Sequence, residues 1–348
     1  EINVADNYLE KKFEDMRASG NGTGREERAR REAWKKRMAA AEKRLEEERR
    51  CVQTYFLDVA GHVFKVIVPD VLSPEDHLGP YLPFRTESDR EPLFTLRVAL
   101  TDSLASVPSG RVRDCMNDEA PYLWLMEKNG RFNFGFSYTR ERRDCILMPS
   151  LEYTDNVLYV QRGSAGRIID LALSNALMLL YTYKTAPYDT LMIHASVVVS
   201  DGGGYMFLGK SGTGKSTHSR LWIENIAGTV LLNDDNPVVR VHGDDVTVYG
   251  TPWSGKTPCY RNENVPLKAF VRLSQAPYNR IGRLPILNSY ASLLPSCSCM
   301  RWDRASTDAL HSAVEKVVGK VGGWHLECLP DAEAALLCSS EIQGKERI

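Results

Sequence analysis

Nine consecutive residues, Gly209-Lys210-Ser211-Gly212-Thr213-Gly214-Lys215-Ser216-Thr217, fill every position of the phosphate-loop pattern G-x-x-x-x-G-K-[ST]. Their types suit a nucleoside triphosphate. Gly209, Gly212 and Gly214 open backbone conformations closed to residues with a Cβ, so successive N–H groups can turn inward around phosphate oxygens. Lys215 neutralises the outer phosphates, and the Ser216 hydroxyl stands where a hard divalent cation bridging them needs an oxygen ligand. Ser211, Thr213 and Thr217 complete the lining.

Two further groups have chemistry that belongs beside such a loop. Asp234 and Asp235 follow the apolar run Thr229-Val230-Leu231-Leu232, so their carboxylates are expected to emerge at a strand end. One can hold a cation and the other can accept a hydroxyl proton. With Asn236-Pro237 following, an Asp-Asp turn is the bland alternative. The segment Thr251-Pro252-Trp253-Ser254-Gly255-Lys256-Thr257-Pro258-Cys259-Tyr260-Arg261-Asn262 offers a stacking face at Trp253, anion-holding groups at Lys256 and Arg261, and a flexible Gly255; a structural turn is the alternative.

The elements that must position these groups are legible around them. Tyr205-Met206-Phe207-Leu208 reads as a strand entering the loop, and Ser219-Arg220-Leu221-Trp222-Ile223 continues a helix leaving it. A strand over 190–199, turned back by Asp201-Gly202-Gly203-Gly204, predicts a hairpin with the loop's own strand. That makes the strand antiparallel to its predecessor, unlike the first βαβ unit of a doubly wound sheet. The apolar residues Ile168, Leu171, Leu173, Leu177, Leu179 and Leu180 predict a buried helix over 167–183, joining this half to the one before.

Residues 51–165 read as a β-rich domain. A hairpin is expected around Ala60-Gly61, followed by strands over 94–100, 122–126, 132–136, 145–148 and 157–160. His62 and His77 have no carboxylate or thiol grouped with them in sequence and read as ordinary core or surface histidines. Residues 1–50 form a charged extension: a short helix over 8–16, a glycine-rich break, then a long helix over 25–50. Its sparse seam of Trp34, Met38 and Leu45 is too thin for a coiled coil; it packs on its own protein or a sister chain, or docks a protein partner. The domains are therefore 1–50, 51–165 and 166–348.

Across 348 residues the formal net charge is −1, with no basic field for nucleic acid and no apolar run long enough for a membrane span. Without a basic and apolar leader, the expectation is a cytoplasmic protein with reduced thiols. Cys297 and Cys299 are the one close cysteine pair and lack the spacing of a structural zinc site.

The order Ile193-His194-Ala195-Ser196, then the glycine loop, then Leu231-Leu232-Asn233-Asp234-Asp235 resembles the P-loop superfamily of HPr kinase/phosphorylase and ATP-dependent phosphoenolpyruvate carboxykinase, over roughly 167–265. The resemblance implies a mixed α/β core of that type behind a β-rich N-terminal domain, closed by a strand at Trp324-His325-Leu326-Glu327-Cys328 and a helix after Asp331. It implies ATP with Mg²⁺ (Mn²⁺ in a carboxykinase), and it puts His194 at the site, either on the metal or tuning a catalytic Asp. A satisfied core histidine is the alternative. The leading expectation is a kinase moving the γ-phosphoryl group to a hydroxyl of a small molecule or a protein serine. Lys215 holds the phosphates, Ser216 and Asp235 the cation, and Asp234 is the base, tuned by His194. A carboxykinase-like lyase and a non-catalytic nucleotide-sensing module are the other two readings.

Overall fold

The structure is a computed structural model and describes residues 28, 32, 33, 35, 36, 39, 43, 51–115, 119–255 and 257–344. The chain divides into two compact units, Glu1–Val52 and Gln53–Ile348. In the first unit the described residues Arg28, Glu32, Ala33, Lys35, Lys36, Ala39 and Lys43 are helical and exposed. The helix expected over 8–16 and the seam of Trp34, Met38 and Leu45 lie outside the described residues.

From Val52 the chain forms β1 (Val52–Val59), all but its first residue in the second unit, and β2 (His62–Pro69), joined by Ala60 and Gly61, both at positive φ as a tight hairpin turn of this twist requires. A short helix α1 (Pro74–Leu78) follows, then β3 (Thr95–Thr101), β4 (Arg111–Cys115), β5 (Tyr122–Lys128), β6 (Arg131–Ser137), β7 (Cys145–Met148) and β8 (Asp155–Gln161). These strands form one eight-stranded sheet in the order β1-β2-β3-β8-β7-β6-β5-β4. Strand β4 was not expected: Arg111-Val112-Arg113-Asp114-Cys115 lies at the sheet edge with little to bury, so it lacks the apolar alternation that marks a strand.

Helix α2 (Gly166–Thr185) lies against this sheet. Ile168, Ile169, Leu173, Leu177, Leu180 and Tyr181 pack with Phe64, Phe94, Phe134, Phe136 and Leu158. The same core continues into Met192 and Val238 of the second sheet and into Trp253 of the segment after Tyr249. His62 is buried there, 2.9 Å from Thr190 Oγ1, and burial pushes its pKa down to about 3. His77 is 2.6 Å from Asp170 Oδ1, a carboxylate partner distant in sequence.

The second sheet contains β9 (Thr190–Met192), β10 (Ala195–Ser200), β11 (Gly203–Leu208), β12 (Val230–Asp235), β13 (Val238–His242), β14 (Asp245–Tyr249), β15 (Asn264–Gln275), β16 (Arg280–Arg283) and β17 (Gly322–Cys328). Its order is β12-β10-β11-β15-β14-β13-β9, with β17 also on β15 and β16 on β17. The twelve-residue β15 makes this possible, because its first residues pair with β14 while the remainder pair with β11 and β17. Helices α3 (Lys215–Asn225) and α6 (Ala332–Gln343) cover one face through Trp222, Ala335 and Cys338. On the other face lie α4 (Ile286–Leu293) and α5 (Arg304–Lys320), through Leu293, Leu310, Val314 and Val317. Both faces of β10 and β11 are thus covered, which is why their sequences are almost continuously apolar rather than alternating. The architecture is mixed α/β with two sheets, and among the described residues no helix is long and apolar enough to cross a membrane.

Candidate functional site

The strand expected over 190–199 is two strands. β9 pairs with β13 and β10 with β11 and β12, so the chain leaves one part of the sheet for another at Ile193-His194. That break is held from both sides. The Ile193 N–H donates to the Pro237 carbonyl at 3.0 Å, the His194 N–H to the Ser296 carbonyl at 2.7 Å, and the Ser298 N–H to the Met192 carbonyl at 2.9 Å. His194 is therefore fixed by a segment a hundred residues downstream, which the sequence marked only by the close cysteines Cys297 and Cys299.

Register brings the remaining groups to the same sheet end. β10 is antiparallel to both β11 and β12, and Ala195 lies opposite Leu208 on one side and Asp235 on the other. At the usual strand spacing, Asp235 and the strand residue entering the loop are about 10 Å apart. The two aspartates are the last residues of β12 itself, not the residues after it as expected.

The loop 209–214 links Leu208 to α3, which starts at Lys215. Gly214 has φ 108°, a conformation that L side chains rarely adopt, and no side chain caps the helix. Within the loop the Thr213 N–H donates to the Lys210 carbonyl at 3.1 Å and the His218 N–H to Gly214 at 2.9 Å. Ser211, Gly212 and Ser216 are exposed, whereas Gly209, Thr213, Gly214 and Thr217 are half-buried. From the end of β15, Gln275 Nε2 reaches the Gly212 carbonyl at 3.3 Å.

Lys215 is only 9% exposed and lies along the loop, with Nζ 3.1 Å from the Gly209 carbonyl and 3.1 Å from His194 Nε2. Desolvation lowers its pKa, and Asp235 and then Asp234 oppose that shift. His194 Nε2 is also 3.3 Å from Asp235 Oδ1. The histidine contact expected at Asp234 thus falls on Asp235, for a reason visible in the register. Asp234 lies opposite Ser196, whose hydroxyl meets Ser219 of α3 at 2.6 Å; Asp234 therefore faces α3 and Asp235 the opposite side. Asp234 is buried, and Asp235 remains 39% exposed.

Asparagines on either side of the pair organise it. Asn236 Nδ2 donates to Asp235 Oδ2 at 2.8 Å. Asn233, fully buried, donates to Thr251 Oγ1 at 3.1 Å and to the Trp253 carbonyl at 3.3 Å, and accepts from the Asn236 N–H at 3.0 Å. The 251–255 segment is thereby strapped to β12. Its Gly255 N–H donates to the Asp234 carbonyl at 2.6 Å, where a Cβ would lie 2.9 Å from that same oxygen, so closeness rather than mobility accounts for the glycine.

The expected substrate groups of this segment separate. Trp253 is 3% exposed and packs on Tyr181 and Tyr81, with ring centroids 5.2 and 6.2 Å away. It is a core residue and presents no stacking face to solvent. Arg261 is half-exposed beside Glu263 at 3.6 Å, and Lys256 lies outside the described residues. Cys297 is buried and its thiol is pushed up to about 12 by burial, which keeps it protonated; Cys299 rests against Ser306. Under the loop, His218 accepts from Trp222 Nε1 at 3.1 Å, and burial pushes its pKa down to about 4.

No protein-family model matches this chain, and no curated protein matches it in sequence. Among solved structures it is similar to the HPr(Ser) kinase/phosphatase from Coxiella burnetii, at 13% identity and a TM-score of 0.26, over 44% of this chain and 94% of that one. A likeness of that size carries no argument about function. The chain's own residues must supply it.

Proposed function

We propose that this chain is an ATP-dependent phosphotransferase that moves the γ-phosphoryl group to a hydroxyl of a small molecule or a protein serine. The observation that carries this reading is the meeting, at one sheet end, of Lys215, His194 and Asp235 beside a glycine loop whose helix start has no side-chain cap. Uncapped amides and a buried lysine are suited to a polyphosphate, and a partly exposed carboxylate is suited to an incoming hydroxyl.

The donor set fits a divalent cation of the magnesium type. Ser216 offers an exposed hydroxyl on the first turn of α3, and Asp234 lies on the sheet face toward that helix. Among the described residues no three His, Cys, Asp or Glu side chains group to hold a metal. Magnesium commonly takes one or two protein oxygens and completes its shell with phosphate oxygens and water, and when bound it would supply charge neutralisation between the outer phosphates.

The other roles follow from the contacts. The loop amides and Lys215 hold the β- and γ-phosphates. Asp235, held by Asn236 on one oxygen and approached by His194 on the other, takes the acceptor's proton as its oxygen bonds to the γ-phosphorus and the bond to the β-bridging oxygen breaks, releasing ADP. His194 Nε2 cannot both accept from Lys215 and donate to Asp235. A phosphate that draws Lys215 away leaves that nitrogen free to donate a hydrogen bond to Asp235 and so to orient the carboxylate.

The test is transfer from γ-labelled ATP with Mg²⁺ into lysate separated by size, comparing wild type with Lys215→Ala. Label in one fraction, lost in the variant, supports the reading and gives the acceptor class. Equal labelling by the variant overturns it. ATP binding without transfer to any fraction replaces it with the nucleotide-sensing module.

A further inference from the structure

Away from the glycine loop, four aromatic rings from four separate elements close on a cavity of about 200 Å³. Phe132 comes from β6, Tyr153 from the turn between β7 and β8, Tyr183 from α2, and Trp302 from the turn before α5. The rings are arranged in two pairs. Tyr153 and Tyr183 are tilted against each other with centroids 4.3 Å apart, and Phe132 and Trp302 with centroids 5.5 Å apart. Asp303 also lines the cavity.

We propose that this cavity is a binding site for an organic cation, either a methylated ammonium headgroup or the charged end of a basic side chain. Aromatic faces carry negative quadrupole potential and attract a cation held over them. Asp303 adds the formal charge. Its Oδ1 accepts from the Ser306 N–H at 2.7 Å as the cap of α5, and among the described residues no hydrogen bond or ion pair occupies Oδ2. Burial raises the pKa of both phenols, with Tyr153 pushed up to about 12, and the Asp303 carboxylate adds to the shift at each.

Two further observations favour a ligand over simple packing. Tyr153 has φ 55°, a left-handed conformation that is uncommon for a bulky residue and is found where a side chain must be aimed. Its turn is fixed by Ser150, which accepts from the Thr154 and Asp155 N–H groups at 3.0 and 3.1 Å. Trp302 is 37% exposed although it packs on Phe132 and Phe134, so its ring forms a wall reachable from solvent. Arg131 borders the same cavity as an exposed residue at the start of β6, where its stem can cover apolar wall while its head reaches water. The volume admits one headgroup and not a nucleotide, and no residue of the glycine loop lines the cavity, so the site does not depend on the phosphotransfer reading.

The test is calorimetric titration of the full chain with choline, with N-acetyl-arginine amide, and with the neutral isostere of choline in which carbon replaces the nitrogen. Saturable binding of a cation, weakened about tenfold by Trp302→Ala and by Asp303→Asn, is the expected result. Asparagine preserves the helix cap, so Asp303→Asn leaves the fold intact and tests the charge alone. The tighter of the two cations identifies the source. Equal binding of the neutral isostere, cation binding indifferent to both variants, or no saturable binding of either cation overturns the proposal.

Discussion

His194 Nε2 lies 3.3 Å from Asp235 Oδ1, and among the described residues no such contact joins it to the neighbouring Asp234. Adjacent residues of an extended strand point to opposite faces, so only one of the two carboxylates can meet a given histidine. The pair therefore divides: Asp234 toward the face covered by α3, Asp235 toward His194 and Asn236.

The two substitutions should separate accordingly. Asp235→Asn is expected to lower phosphoryl transfer by about 10²- to 10⁴-fold while leaving nucleotide affinity nearly unchanged. Asp234→Asn is expected to raise the Mg²⁺ concentration needed for half-maximal nucleotide binding by about tenfold or more. Titrating Mg²⁺ against each variant and following labelled phosphate checks both. The reverse pattern would exchange the two roles.

Stability should fall with acid through His218. Its folded pKa of about 4 is below the ordinary histidine value, so between those limits the unfolded chain binds a proton that the buried ring cannot. Stability is therefore full above about pH 6.5 and declines as pH falls toward 4, by up to roughly 3 kcal/mol from this group. His62, pushed down to about 3, adds to the same slope. His218→Gln keeps an acceptor for Trp222 Nε1 but cannot titrate, and denaturant unfolding across that pH range should show a shallower decline than wild type.

Asn233→Leu should destabilise the chain by about 2 kcal/mol, because it orphans the buried groups that Asn233 now joins in β12 and the 251–253 segment. Loosening that segment also frees Gly255 from Asp234, so proteolytic cleavage within 251–257 should accelerate more than the loss of global stability accounts for. Limited proteolysis beside a denaturant curve measures the difference.

Trp253→Ala should cost about 3–5 kcal/mol in unfolding free energy, the penalty of a cavity between the two sheets. Trp253→Phe should recover most of it and leave nucleotide binding unaltered. A variant that kept full stability but lost substrate affinity would restore the stacking role expected from sequence.

The glycine loop, the strand before it and the helix after it were legible in the chain because every one of their requirements is local. Glycines at set offsets, an apolar run and a lysine followed by a hydroxyl residue need no distant partner to be recognised. The hairpin that makes β10 antiparallel to the loop strand was legible for the same reason, through Asp201-Gly202. Tertiary structure alone decided where His194 points, since its place depends on the break between β9 and β10 and on the Ser296 carbonyl that holds its amide. It likewise decided which aspartate His194 meets, through the pairing of Ser196 with Asp234, and it placed Trp253 in the core rather than at the surface. Residue type and spacing specify what a group can do; register and packing between segments far apart in sequence specify what it touches.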